Sequence, residues 1–447
     1  MNYQTMDDNI FSRIWTDATV ETSLTYLTDE CNGRFACSGD ERKAGDYMLA
    51  QFRKYGLENV HAETFEMLGW TRGEAQMSVS FDPETRLIDC WEMACNPGGS
   101  CAGTLVDIGD GTEEQIKAMA DQLQGKIALT NTKGPHRSAK YGACQKTGAV
   151  GLVIYNGVAG SLKPAGSISL GKLALKIPAI GISQEDGAYL LRKMKAGQDI
   201  QVEISTTSHN ATMPARNIIA EIPGTDPDAG WIVVGGHYDG HDVAQGAYDN
   251  GSGTAMVMEV GRVLNPFKGS LKAGVRCILF SGEELGLNGS FAYVQQHAEE
   301  LDTIRAVFNA DIVGMQQPLV LMTQEAPQFA ALLKTYADEG LDITVNDETY
   351  VPHSDHFPFA LEGISTLMAV TSKPDIPTHW VHTSADTLDK VKFNVLKQAC
   401  ATAARVILRM AMNPQDLPKE RFSKEQVREF IVKHGHEEAM KAQGILQ

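Results

Sequence analysis

Paired C-x-x-C spacing is missing from this 447-residue chain: its eight cysteines are Cys31, Cys37, Cys90, Cys95, Cys101, Cys144, Cys277 and Cys400. A structural zinc site built on thiolates is thereby excluded, and any metal ligands must be other side chains. No run of about 18 apolar residues occurs, so no membrane-spanning helix is expected. The start, Met1-Asn2-Tyr3-Gln4-Thr5-Met6-Asp7-Asp8, has neither the basic nor the apolar region of a signal peptide. Positive charge is scarce, with 39 Lys and Arg against 56 Asp and Glu and a net charge of −17. That balance argues against nucleic acid and against an anionic membrane as partner. The close pairs Cys31/Cys37 and Cys95/Cys101 suit small disulfide loops in an oxidising compartment, and equally suit buried thiols in the cytoplasm. Two localisations therefore stay open: secreted or periplasmic with a leader removed before residue 1, or cytoplasmic.

What is present supports a large core. With 43% hydrophobic residues the chain is long enough for two domains. Helical spacing runs from Phe11 to Leu27 and from Glu41 to Tyr55. From about Gly69 to Thr207 short β-rich runs alternate with short helices, with almost no clustered His, Asp or Glu. From Asn217 the pattern becomes strand, turn, helix, repeated, with strands at Trp231 to Gly236, Val275 to Ser281, Ile304 to Ala310, Leu319 to Met322 and Thr366 to Val370. Such alternation predicts an α/β fold: a mixed, mostly parallel sheet with helices on both faces and sites at the carboxyl ends of its strands. The tail from Pro414 onward reads as an appended helical extension.

Acidic and imidazole side chains fall just after those strands. His237 and Asp239 follow the first, Asp249 lies in the loop beyond, Glu283 and Glu284 follow the second, and Asp311 follows the third. Singly, each has a bland reading, since a His after a strand or an Asp before Asn-Gly is commonly a surface or turn residue. Jointly they aim at one rim. A pair of metal ions about 3.5–4 Å apart needs one bridging carboxylate, plus a His and a further carboxylate on each ion. His237 and Asp311 for one ion, Glu284 and His382 for the other, and Asp249 between them complete that set. Of the adjacent Glu283 and Glu284, one can ligate while the other stands off as general base.

Gly-His-Tyr-Asp from 236, Tyr-Asp-Asn-Gly-Ser-Gly from 248, Ser-Gly-Glu-Glu-Leu-Gly-Leu-Asn-Gly-Ser from 281, Asn-Ala-Asp-Ile-Val-Gly from 309, His-Ser-Asp-His-Phe-Pro-Phe from 353 and Val-His-Thr-Ser-Ala-Asp-Thr from 381 resemble the co-catalytic zinc aminopeptidase and carboxypeptidase family. The resemblance runs from roughly Thr22 to Met412, and the segment from His237 to Gly253 is especially similar to carboxypeptidase Q-like members. It implies a zinc exopeptidase fold carrying two Zn²⁺ per chain on His237, Asp249, Glu284, Asp311 and His382. Glu283 is then the base, and Asp239 assists it by orienting His237; Asp386 is expected to play a similar part near His382. It also implies an inserted protease-associated domain, giving a catalytic domain over 1–68 and 211–412, a lid over 69–210 and the extension over 413–447. The implied activity is hydrolysis of terminal peptide bonds by an aminopeptidase, with a dipeptidase or carboxypeptidase as the alternative and a non-catalytic receptor-like protein or single-zinc cyclase as rivals. The expected partners are a peptide substrate and a second copy of the chain in a homodimer. Val381 stands where several relatives carry a Tyr or His for the oxyanion; His353 or the metal itself is left to do that work, while His353, Asp355 and His356 share a loop expected near the substrate.

Overall fold

The computed structural model describes residues 2–81, 83–169, 174–371, 380–442 and 445–446. Among these, the strands form two eight-stranded sheets. The first runs, edge to edge, Glu58–Thr71, His209–Ile222, Gly274–Phe280, Trp231–His237, Ile304–Ala310, Thr366–Val370, Leu319–Met322 and Ile343–Asn346. Its four central strands are parallel, and antiparallel pairings join the outer ones to them. This is the mixed, mostly parallel sheet that the strand–helix alternation implies.

Helices cover both faces because the central strands are apolar on both sides. In Trp231–His237, Ile232 and Val234 face the larger core, while Val233 faces a second core with Phe280, Tyr293 and Phe359. The larger core is closed by Ser252–Leu264, buried along almost its whole length, and by the Ala-rich helix Phe393–Met412. Among the described residues no helix is long and apolar enough to cross a membrane.

The second sheet lies between residues 75 and 206 and has its own core of Val79, Leu105, Leu129, Val153, Ile180 and Val202. Glu58–Thr71 and His209–Ile222 pair in register up to Thr71 opposite His209, so this antiparallel ribbon carries the chain out to the second sheet and back. A further core joins the two: Phe35, Phe65, Met67 and Leu285 pack with Tyr141, Leu152 and Ile154. Shared apolar burial of this kind fixes the second sheet over the first.

One expectation needs correction. The helix foreseen over Phe11 to Leu27 is two helices, Tyr3–Thr16 and Thr19–Thr25. Asp17 turns extended between them (φ −97°, ψ 147°) and pairs with Arg262 at 2.8 Å. The apolar spacing conceals the break, since Ile10, Ile14, Val20, Leu24 and Leu27 all reach the same core. The tail carries the helices Lys424–Lys433 and Glu437–Ala442, and positions 443, 444 and 447 of it lie outside the described residues. Val427, Ile431 and Met440 pack on Leu287, Tyr350 and Phe357, and Ile445 reaches the cleft described next. The cysteines are free thiols in this structure, including Cys31/Cys37 and Cys95/Cys101.

Candidate metal centre

His237 is the last residue of its strand, Asp311 directly follows Ile304–Ala310, and Glu283 and Glu284 come a turn after Phe280. Asp249 sits where the chain turns into Ser252–Leu264, and His382 belongs to the connection from Thr366–Val370 to Phe393–Met412. All six meet in one cleft. His237 Nε2 lies 3.3 Å from Asp249 Oδ1 and 3.5 Å from Asp311 Oδ1. His382 Nε2 lies 3.0 Å from Asp249 Oδ2 and 3.2 Å from Glu284 Oε2. The two carboxylate oxygens of Asp249 thus face different histidines. Glu283 Oε2 stands on the His237 side, 4.0 Å from Nε2.

These residues fit divalent cations. Glu284 Oε1 and Asp311 Oδ1 are buried with no hydrogen-bond donor among the described residues, and an uncompensated buried carboxylate oxygen is costly. The mutual electrostatics agree. Burial opposes the charge on Glu284, yet His241 and His382 hold its carboxyl well below the ordinary range. Burial would likewise lower His382, but Glu284 and Asp249 raise it to about 9. Glu283 goes the other way: burial, with Glu284, Asp311 and Asp355, drives its carboxyl well above the usual value against the pull of His237. Four carboxylates around two imidazoles, mixing N and O donors, suit zinc.

The supporting contacts differ in part from those expected. Asp239 orients His237 through its backbone carbonyl, 3.0 Å from Nδ1. Its carboxylate Oδ1 also lies 3.6 Å from Nδ1, and the carboxylate accepts the backbone N–H groups of Glu283 and Glu284, at 3.1 and 3.2 Å. Asp386 does not serve His382; it accepts the N–H groups of Tyr248 and Asp249, at 2.8 and 3.0 Å. Burial and the charge of Asp249 push Asp386 up to about 7 despite those bonds. Ser354 donates to Asp311 Oδ2 at 2.6 Å. Buried Arg34 donates to the carbonyls of Tyr238, Gln245 and Gly246, binding both ends of the loop between His237 and Asp249.

Residues 217–407 match peptidase family M28, and residues 97–190 match the PA domain. The catalytic part of this chain thus matches peptidase family M28. It is 28% identical over 391 residues to aminopeptidase YwaD of Bacillus subtilis strain 168, covering 85% of this chain and 81% of that one. It is also 28% identical over 304 residues to carboxypeptidase Q of Mus musculus, covering 64% and 63%. Among solved structures, an aminopeptidase from Aneurinibacillus sp. strain AM-1 superposes with a TM-score of 0.70 at 27% identity, over 93% of this chain and 98% of that one. A peptidase M28 precursor from Shewanella amazonensis SB2B shares the fold with a TM-score of 0.80 at 22% identity, over 94% and 98%.

Three side chains of the cleft escaped the motif reading. His241, four residues past His237, places Nε2 2.8 Å from Glu284 Oε2. Arg137 and His136 come from the second sheet's domain and line the same cleft. Gly166 leaves room for Arg137, since a Cβ there would lie 2.1 Å from its Cζ. His136 stacks on His353 at 5.1 Å. Of the loop expected near the substrate, His353 lines the cleft, whereas Asp355 and His356 are fully buried. Burial lowers His353 to about 4, so its ring is neutral at neutral pH. Val381 also lines the cleft and has no donor to offer an oxyanion.

Proposed function

We propose that this chain is a two-zinc aminopeptidase: His237 and Asp311 hold one ion, Glu284 and His382 hold the other, and Asp249 bridges them. The observation that carries this reading is the division of Asp249, with one oxygen facing His237 and the other facing His382. Zinc, when bound, supplies Lewis acidity that polarises a carbonyl and lowers the pKa of water. Glu283 takes the proton from the attacking water and returns it to the leaving amine, a role suited to a carboxylate with high proton affinity that stands off the ligand set. Asp239 is a positioning residue whose carboxylate fixes the backbone of both glutamates.

We divide the chain into a catalytic domain over 1–68 and 211–412, a lid over 69–210 and a helical extension over 413–447. The exchange of sheets at Thr71 and His209 supports this division. The lid also touches the centre directly, since Ala165 N–H donates to His382 O at 2.9 Å.

Arg137 favours a second reading of the substrate, a dipeptide with a free carboxylate. Its Nε donates to Ser167 O at 2.8 Å, and among the described residues no other hydrogen bond engages the guanidinium, which lines the cleft. Burial lowers its pKa against the field of Glu284, Glu283 and Asp249, and a substrate carboxylate would compensate that charge. One experiment separates the readings: a free peptide, its N-acetyl form and its C-terminal amide, each offered to the wild type and to Arg137→Gln. An aminopeptidase loses cleavage on N-acetylation. Carboxylate recognition adds a penalty for the amide in the wild type, and Arg137→Gln erases it by raising KM for the free acid about 10–100-fold, as expected for one charged hydrogen bond. Cleavage of the N-acetyl form with rejection of the amide would make the enzyme a carboxypeptidase instead.

A further inference from the structure

His241 belongs to neither the motif set nor any hydrogen-bond network. It is 4% exposed, and neither ring nitrogen has a hydrogen-bond partner among the described residues. Nε2 nevertheless lies 2.8 Å from Glu284 Oε2. Its ring stands nearly perpendicular to that of His382, at 80° with centroids 4.8 Å apart. One ligand atom from each of His241, Glu284 and His382 falls within 4.8 Å of the others. Gly33 makes this placement affordable, since a Cβ there would lie 2.0 Å from His241 O. A nitrogen this close to a carboxylate oxygen but outside hydrogen-bond geometry, beside a second imidazole, is the arrangement in which one cation can be shared by all three. Two ligands of a tetrahedral zinc at 2.0–2.2 Å lie about 3.3–3.6 Å apart; His241–Glu284, Glu284–His382 and His382–Asp249 stand at 2.8, 3.2 and 3.0 Å, somewhat closer than a bound ion would hold them.

We infer that His241 is a fourth protein ligand of the ion held by Glu284, His382 and Asp249, against three protein ligands for the ion held by His237, Asp311 and Asp249. The inference rests on the two-zinc reading and adds an asymmetry to it. Structural zinc sites carry four protein ligands, whereas catalytic ones carry three and leave a place for water. Glu283 stands beside the three-ligand site, 4.0 Å from His237 Nε2, where a base is of use. The two ions accordingly differ in hold: one bound tightly and kept, one bound by fewer groups and lost first.

The test is release of zinc from the zinc-loaded enzyme to increasing concentrations of a chelator such as dipicolinate, read as zinc remaining per chain. The wild type should lose its ions in two steps separated by at least about tenfold in chelator, as expected when one ligand distinguishes the sites. In His241→Ala the later step should move to the earlier one, while the earlier step stays in place. His241→Gln separates ligation from a merely structural contact, because an amide can hydrogen-bond Glu284 but is a poor substitute for imidazole at zinc. It should behave as the alanine variant does. Matching melting temperatures of the metal-free proteins would show that both variants fold. Single-step release from the wild type, unchanged release from His241→Ala, or recovery of the late step in His241→Gln would each overturn the inference. A wild type that binds fewer than two zinc ions would instead refute the two-zinc reading beneath it.

Discussion

Glu283→Gln should lower kcat by about 10²–10⁴-fold, equivalent to roughly 3–5 kcal/mol on the barrier, while zinc content and folding stay at the wild-type level. The substitution keeps size and shape and removes only the ability to accept a proton. Glu283 Oε2 is 4.0 Å from His237 Nε2, farther than Asp249 or Asp311, so its loss should not release the ion. Glu284→Gln is the contrasting case. Its carboxylate is the one that His241 and His382 surround, and its neutralisation should lower zinc affinity together with rate. Turnover and bound zinc measured on both variants separate the roles: metal loss from Glu283→Gln with retention by Glu284→Gln would exchange them.

Asp249→Ala should have the largest effect on metal, because in the proposed centre the change removes a ligand from both ions at once. Zinc affinity should fall by more than about 100-fold, beyond the effect of losing a supporting contact. His382→Ala, which touches one ion only, should retain the ion of the His237 site. Backbone effects are expected to be small, since Asp386 holds Asp249 through its N–H rather than its side chain. Elemental analysis after gel filtration checks this, and an Asp249→Ala protein that retains two ions would show that the bridge is misassigned.

Much of this centre was legible in the linear sequence because parallel strands end where sites are built. A continuous apolar strand followed at once by His237, or by Asp311, places its polar residue at the rim whatever the rest of the fold does. The helix break at Asp17 was not legible, since the apolar positions on either side of it face one core. His241 was hidden by its neighbours: four residues past a ligand, its inward turn depends on packing against Gly33, some two hundred residues earlier in the chain. Arg137 lies a hundred residues before the first ligand, in a segment whose composition holds no cluster, and only docking of the second sheet through Tyr141, Leu152 and Ile154 brings it to the cleft. Asp239 and Asp386 were placed near the site by motif, but which atoms they grip follows from loop conformation, which residue type does not encode.

The central claim is a centre of two zinc ions bridged by Asp249, and the most direct test is the zinc content of the wild-type protein after saturation and dialysis, measured by mass spectrometry against protein concentration. Two zinc ions per chain are expected; one per chain, or none, would contradict a bridged pair.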